Sequence, residues 1–240
     1  MYWMTITVKT ERIIGILQPS YLPWLGFFEQ LYKSNIFVLY DDVQFEKGAW
    51  RNRNRIKTPQ GIQWLTVPVL TKNQGLPLIK DVQINAGVPW AQKHIKAITQ
   101  NYSKAPYFHT YSPDLFDILR QKWTFLLDLN ERLIVWFCNQ MGLTTRLTRS
   151  SELDVSGVNV VRLIKIIKTL GGKRFYEGAA GRNYIDPGLF LEHGLEVVFQ
   201  DYEHPRYPQL YAPFVSHLSI IDLLFNCGPE SLKIIINGNE

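Results

Sequence analysis

The chain begins with apolar runs whose spacing changes from strand-like to helical and back. The β-branched run RIIGILQ ends at Pro19, which has no amide hydrogen, so it predicts a buried strand that stops there. LGFFEQLYKS then has apolar residues at helical spacing, and NIFVLYDDVQF predicts a second strand. A strand, a helix and a strand of these lengths favour a βαβ unit with parallel strands.

Turn residues and helix caps divide the rest of the chain. GAWRNRNRIKTPQGIQWLTVPVL predicts two extended segments joined at TPQG, and IKDVQIN predicts another strand. One helix is predicted to start at Pro89, and another at Pro113 with Ser112 as its cap. The helix FLLDLNERLIVWFCNQMG is predicted to end at Gly142. Later segments predict strands in KRFYEG and LEVVFQDY, and helices in VNVVRLIKIIKTLGG, DPGLFLEHG, HLSIIDLLFNCG and PESLKIII.

These elements predict an α/β fold. It consists of a βαβ-type opening unit with a mostly parallel sheet, plus a helical middle segment. A chain of 240 residues is long enough to bury a substantial core. We expect a single domain over residues 1–240, with a helical subdomain at about 111–170 as a further possibility.

Composition indicates a globular protein of a reducing compartment. Hydrophobic residues make up 46% of the chain and charged residues 20%. Cys138 and Cys227 lie in apolar helical patterns without a second ligand at metal-like spacing, which predicts buried free thiols and a cytoplasmic location. The N-terminal stretch MYWMTITVKTER has no apolar core typical of a signal peptide, and no run approaches the roughly 20 apolar residues of a membrane span.

Positive charge is concentrated in KGAWRNRNRIK. The net charge is +5 and the pI is near 9.1, which permits an anionic partner. Arg51, Arg53, Arg55 and Lys57 recur at every second position, so in an extended chain four cations would project from one face about 7 Å apart. Such a row suits the phosphates of a nucleotide-sugar, a phosphorylated cofactor or RNA. The alternative is a solvated edge strand protected by charge.

The loop after the first strand is a candidate ligand site. In open α/β sheets, ligands bind beyond the carboxyl ends of the strands. Gln18 can donate and accept hydrogen bonds there, and Tyr21 and Trp24 offer flat apolar faces. The alternative is a hydrophobic corner that the prolines make rigid.

Asp41 and Asp42 end the second strand and are candidates for a catalytic role. Successive strand residues face opposite sides, so at most one carboxylate points into a given site. It could bind a substrate amine or hydroxyl, hold a metal or act as a general base. The alternative is that both acids cap an exposed strand end.

Two later loops add further candidates. YEGAAGRNYI places Gly178 and Arg182 in a strand-to-helix connection whose amides could bind an anion. DYEHPRYPQL follows a strand and contains His204, Tyr207 and Gln209, of which His204 is the candidate acid or base. Asp222 lies in the apolar run IIDLLF, so we expect it to have a partner such as one of the arginines.

The motifs LQPSYLPWLGFF, YDDVQFEKGAWRNRNRIK, WLTVPV, YEGAAGRNYI, HPRYPQ and LSIIDLLFNCG resemble, in this order, those of the WbqC-like protein family. The resemblance runs from about Ile14 to Gly228 and adds Tyr176 to the substrate-binding candidates. It implies a transferase of surface-polysaccharide (O-antigen, lipopolysaccharide) biosynthesis that moves a glycyl or related acyl group onto an amino sugar.

The resemblance implies an acyl or aminoacyl donor, and a nucleotide-sugar or another phosphorylated small molecule as partner. The alternatives are a nucleic-acid- or nucleotide-binding protein and a non-catalytic sugar-binding protein. The sequence identifies no cofactor and no metal site, and it does not establish that the protein is an enzyme.

Overall fold

A computed structural model describes residues 11–70 and 77–237. The N-terminal stretch for which we predict no signal peptide lies mostly outside these residues. Within them, five strands form the main sheet. In chain order they are β1 (Ile13–Leu17), β2 (Ile36–Leu39), β5 (Arg146–Arg149), β6 (Arg174–Glu177) and β7 (Glu196–Phe199).

All neighbouring strands of this sheet are parallel, in the order β5-β2-β1-β6-β7. The predicted α/β fold and the parallel pairing of the first two strands are therefore confirmed. The chain goes from β1 outward through β2 to β5 and then crosses to β6 on the other side of β1. The strand order thus reverses between β1 and β6, which is where ligands bind in open parallel sheets.

Helices cover both faces of the sheet. One core cluster contains Phe37 and Leu39 of β2, and the other contains Ile36 and Val38 of the same strand, because successive side chains face opposite sides. Within the described residues the helices are α1 (Leu25–Tyr32), α2 (Trp90–Tyr102), α3 (Phe108–Arg120), α4 (Leu126–Met141), α5 (Asn159–Thr169), α6 (Pro187–Glu192), α7 (Ile220–Cys227) and α8 (Ser231–Asn237). None of them is both long and apolar enough to cross a membrane.

The basic segment forms a separate antiparallel hairpin of β3 (Arg53–Thr58) and β4 (Gly61–Thr66). Its turn lies at the predicted TPQG, where Gly61 has a φ of 123° that favours glycine. Asn54 and Ile56 face inward and are buried. The hairpin therefore presents its arginine side outward.

Three elements differ from the sequence predictions. IKDVQIN is not a strand, because Ile79–Asp81 forms a 3₁₀ turn and only isolated bridges follow it. The helix predicted from Ser112 starts earlier, at Phe108, and contains Pro113 in its interior. Burial of its apolar face compensates for the backbone hydrogen bond that proline cannot make. Strand β5 was not predicted, and it pairs with β2 at one edge of the sheet.

Within the sheet, Gly15 allows a close approach between β1 and its neighbours. A Cβ atom at this position would lie 2.4 Å from Ser34 Oγ and 2.8 Å from a ring carbon of Phe37. Both distances are shorter than a van der Waals contact, so a side chain here forces its neighbours to move.

We therefore predict that Gly15→Ala lowers the free energy of unfolding by about 1–3 kcal/mol, the usual range for overpacking. Urea denaturation of the purified variant measures this change. Because Ser34 Oγ is the nearest atom, Ser34→Ala should relieve part of the clash. The loss of unfolding free energy in the double variant Gly15→Ala/Ser34→Ala should therefore be smaller than the sum of the losses in the two single variants. Strict additivity of the two changes would contradict this explanation.

Candidate functional site

A cavity of about 890 Å³ opens at the carboxyl edge of the main sheet, where the strand order reverses. The end of β1 contributes Ile16, Leu17 and Gln18, and the end of β6 contributes Glu177 and Gly178. The other lining residues are Tyr40, Val43, Glu46, Arg51, Asn159, Val160, Leu163, Ala180 and Tyr184. A cavity of this size accommodates a small organic ligand.

Glu177 is the most unusual group in this cavity. It is the last residue of β6 and only 5% exposed, and burial raises the pKa of its carboxyl to about 7. The Tyr184 hydroxyl donates a hydrogen bond of 3.0 Å to Glu177 Oε1. A Cβ atom on Gly181 would lie 2.3 Å from Glu177 Cγ, so this glycine leaves room for the glutamate side chain. At neutral pH, Glu177 can therefore both accept and donate a proton.

Gln18 and Arg51 also line the cavity. Arg51 Nη1 donates to Ser20 Oγ at 2.8 Å and to the Gln18 carbonyl oxygen at 3.3 Å. Burial lowers the pKa of Arg51 to about 10, although Glu46 opposes the shift. Arg51 Nε is buried without a hydrogen-bond partner. The guanidinium group remains charged at neutral pH and can bind an anion.

The N-terminal end of α5 also faces the cavity through Asn159 and Val160. Its cap residue, Val158, makes no side-chain hydrogen bond to the helix. Asn159 has a φ of 52°, a conformation that asparagine tolerates better than most residues. A helix end of this kind carries partial positive charge, so it adds to the anion-binding character of the cavity.

The predicted catalytic aspartates make structural contacts outside this cavity. Asp41 is fully buried and accepts hydrogen bonds from Ser150 Oγ and from the backbone and hydroxyl of Ser151. Asp42 accepts a hydrogen bond from Ser150 and forms an ion pair with Arg162 of α5. Burial alone would raise the pKa of Asp42, but the hydrogen bonds from Arg162 and Ser150 outweigh burial and lower it.

His204 lies in an aromatic cluster rather than among the cavity-lining residues of the described chain. Its ring centroid is 4.9 Å from that of His217 and 6.2 Å from that of Tyr207. Nδ1–H donates to the Pro205 carbonyl oxygen at 2.9 Å, while Nε2 is buried without a partner. Burial lowers the pKa of His204 to about 4, so the ring is neutral at pH 7 and a weak base.

Tyr207 and Gln209 belong to a buried hydrogen-bond network around Asp222. The Tyr207 hydroxyl donates to Asp222 at 2.9 Å and Gln209 Nε2 donates at 2.8 Å. The Tyr102 hydroxyl donates to the same carboxylate at 2.7 Å. The predicted arginine partner of Asp222 is therefore wrong, because three neutral donors bind the carboxylate instead.

The remaining predicted binding residues lie elsewhere. Tyr21 is fully buried, where its hydroxyl hydrogen-bonds to His94 Nδ1, and Trp24 stacks on His217 at 5.3 Å. The Tyr176 hydroxyl donates to Glu29, and Arg182 lies over the Phe199 ring. Of the predicted site residues, the cavity thus brings together Gln18, Arg51 and Gly178.

The prediction of four cations on one face of the hairpin is wrong. Arg51 precedes β3 and turns toward Gln18 and Ser20. Lys57 is 2% exposed, and its ammonium group donates to Gln209 and to the Pro213 carbonyl oxygen. Arg53 and Arg55 therefore remain on the outer face.

Sequence reasoning missed Glu177 and Tyr184. The sequence signal for Glu177 is its position at the end of a predicted strand, directly before the candidate residue Gly178. Tyr184 gave no signal of its own, because its contact with Glu177 depends on the 3₁₀ turn Ala179–Asn183. Across the two described ranges, no group of three or more histidines, cysteines or acidic residues is arranged to hold a metal.

Fold and site together define an α/β protein with a ligand cavity at the switch point of a parallel sheet. Its sequence matches the profile of the WbqC-like protein family over residues 18–234. The chain belongs to this family, as the resemblance predicts. It is also 38% identical to the "Uncharacterized protein Rv1507c" of Mycobacterium tuberculosis (strain ATCC 25618 / H37Rv) over 220 residues, or 91% of this chain and 95% of that protein. No solved structure matches the chain.

The raised pKa of Glu177 predicts a specific pH dependence of stability. The folded chain binds this proton more tightly than the unfolded chain, whose carboxyl has a pKa near 4.5. The stabilisation is therefore complete below pH 4.5 and is lost as the pH rises through about 7. The loss is at most about 3–4 kcal/mol, since the pKa rises from 4.5 to about 7 and one pKa unit corresponds to about 1.4 kcal/mol.

Glu177→Gln removes this titration. We expect the difference in unfolding free energy, variant minus original chain, to increase steadily between pH 4.5 and 7, because only the original chain loses the stabilisation. Urea denaturation at a series of pH values measures this difference. The same substitution at the exposed Glu192 of α6 is the matched control and should give a curve parallel to the original. A parallel curve for Glu177→Gln as well would mean that the carboxyl has an ordinary pKa.

Proposed function

We propose that this protein is a transferase that moves an aminoacyl group, such as glycyl, or a related acyl group onto an amino sugar. The acceptor sugar is linked to a nucleotide, and the product enters surface-polysaccharide (O-antigen) biosynthesis. The observation that carries the proposal is Glu177, a buried carboxyl with a pKa near 7 in the cavity at the switch point. The membership of the WbqC-like family supports the same class of substrate.

Acyl transfer to an amine needs a base with a pKa near the working pH. The amine nitrogen attacks the carbonyl carbon of the donor, the carbon–nitrogen bond forms, and the bond to the leaving group breaks. The proton released from nitrogen passes to the Glu177 carboxylate and then to the leaving group. The Tyr184 hydroxyl, hydrogen-bonded to Glu177 Oε1, fixes the orientation of the carboxylate.

The phosphates of the nucleotide bind to the cationic groups that line the cavity. Arg51 offers guanidinium N–H groups, and the N-terminal end of α5 offers backbone N–H groups near Asn159. Gln18 directly follows β1 and also lines the cavity. Its side-chain amide can accept hydrogen bonds from sugar hydroxyls and donate hydrogen bonds to them. An anionic group and an amine thus have complementary partners in one cavity.

Glu177 is better suited to act as the general base than Asp41, Asp42 or His204. The Asp42 carboxylate is neutralised by Arg162 and the Asp41 carboxylate is saturated by serine donors. His204 has a lowered pKa near 4 and accepts a proton poorly at neutral pH. None of these three residues lines the cavity within the described chain.

We place the reaction in the cytoplasm. Cys138 and Cys227 are buried free thiols, which is typical of proteins kept in a reducing compartment. Nucleotide-linked sugars with free phosphate charges also require an aqueous compartment rather than a bilayer.

The proposal predicts different effects for substitutions of Arg51 and of Glu177. A nucleoside-diphosphate amino sugar should raise the melting temperature of the chain, and Arg51→Gln should abolish this shift because it removes the guanidinium. Glu177→Gln should keep the shift but lower turnover by a factor of about 10² to 10⁴, the usual contribution of a general base. Turnover is measured by mass spectrometry of the sugar after incubation with thioester and aminoacyl ester donors.

The pH profile gives an independent readout. In the original chain kcat/KM should increase as the pH rises through about 7, because the base must be ionised. Glu192→Gln, the matched control on α6, should behave like the original chain. Binding of the sugar nucleotide without turnover on any donor would favour the non-catalytic sugar-binding alternative. The absence of a thermal shift with every sugar nucleotide would contradict the proposal itself.

A further inference from the structure

The outer face of the hairpin carries two exposed tryptophans between two arginines. We call Trp50, Trp64, Arg53 and Arg55 the tryptophan–arginine platform. Trp50 is 42% exposed and Trp64 is 41% exposed, which is unusual for side chains of this size and apolar character. Neither packing of the core nor the cavity at the sheet edge explains them.

The four side chains form one stacked arrangement. The ring centroids of Trp50 and Trp64 are 5.3 Å apart, with 33° between the ring planes. The Arg53 guanidinium lies 4.4 Å from the Trp64 ring centroid, and the Arg55 guanidinium lies 5.2 Å from that of Trp50. Arg55 and Trp64 are paired directly across the two strands. Strand pairing therefore fixes the position of Trp64 relative to the two arginines.

Backbone carbonyls hold both arginines in place. Arg53 donates to the Gly48 carbonyl oxygen, and Arg55 donates to that of His217 at 2.8 Å. A carbonyl oxygen is neutral, so these contacts orient the guanidinium groups without cancelling their charge. The arginine side chains are ordered before a ligand arrives, which lowers the entropy cost of binding.

We propose that the tryptophan–arginine platform binds single-stranded nucleic acid. Unpaired bases stack on the exposed parts of the rings and on the guanidinium planes that lie over them, and the guanidinium N–H groups bind phosphates. A duplex hides its base faces within its own stack, so it does not use these rings. Two rings and two guanidinium groups offer contacts to more than one nucleotide, which favours a strand over a mononucleotide.

The platform lies next to the cavity along the chain. Trp50 directly precedes Arg51, which lines the cavity, and the carbonyl oxygens of both residues accept from the Tyr21 backbone amide. A strand bound on the platform can therefore have one end near the cavity. The inference does not depend on the transferase proposal, because binding is measured without any turnover.

Fluorescence anisotropy of a labelled oligouridine of about twelve nucleotides tests the proposal, a length within the usual site size of such proteins. Trp64→Ala should weaken binding roughly tenfold, as expected for loss of one base–aromatic stack. Trp64→Phe should recover much of the affinity, because it restores a ring. Circular dichroism and thermal melting establish that each variant folds.

Salt dependence tests the role of the arginines. Arg53→Gln should reduce the slope of log affinity against log salt by roughly 0.7, the value for one phosphate contact on a single strand. Arg120→Gln is the matched control, since Arg120 of α3 also lies over an aromatic ring, that of Phe116. This control should leave both the affinity and the slope unchanged.

The proposal is wrong if the chain does not bind the oligonucleotide at low salt. It is also wrong if the chain binds the corresponding duplex, or uridine monophosphate, as tightly as the single strand. A Trp64→Ala variant whose affinity for the oligonucleotide equals that of the original chain would contradict it as well. The last result would indicate attraction of any polyanion to the net positive charge. The test measures binding alone, so a loss of turnover in Glu177→Gln does not affect it.

Discussion

The two carboxylates that follow β2 hold the carboxyl edge of the main sheet together. Asp41 accepts hydrogen bonds from both serines that follow β5, and Asp42 forms an ion pair with Arg162 of α5. Arg162 Nε in turn donates to the Val155 carbonyl oxygen before that helix. An edge strand, the connection after it and the start of α5 are thereby fixed to the centre of the sheet. The position of the α5 N-terminus in the cavity depends on this network.

Another buried carboxylate, Asp222, holds the hairpin and the His204 loop against the helices. Tyr102 of α2 connects the two regions, since its hydroxyl donates to Asp222 and accepts from the Lys57 amide of β3. Burial raises the pKa of Asp222, although hydrogen bonds from three neutral donors oppose the shift. A carboxyl buried at this depth is tolerated because its oxygens are fully hydrogen-bonded. The platform on the outer face of the hairpin rests on this interior network.

Local sequence patterns were sufficient for the elements whose apolar spacing is strong. The parallel β1–β2 pair, the hairpin turn and the end of α4 at Gly142 follow from residues close together in the chain. Strand β5, RLTR, is short and polar, so only its pairing with β2 makes it a strand. Gln18 and Gly178 were correctly placed at strand ends, but the pKa of Glu177 depends on burial by the folded chain, which no local pattern contains.

Burial acts differently on the acidic and the basic group of the cavity. Glu177 and Arg51 line the same cavity, yet the pKa of Glu177 is raised rather than lowered. Desolvation of the carboxyl therefore outweighs any stabilisation by the guanidinium, and the two groups do not act as an ion pair. Each group has its own partner within the protein. The Tyr184 hydroxyl donates a hydrogen bond to Glu177, and Glu46, which also lines the cavity, opposes the lowering of the Arg51 pKa. The acidic and the basic group are therefore both held by neighbouring side chains of the same cavity.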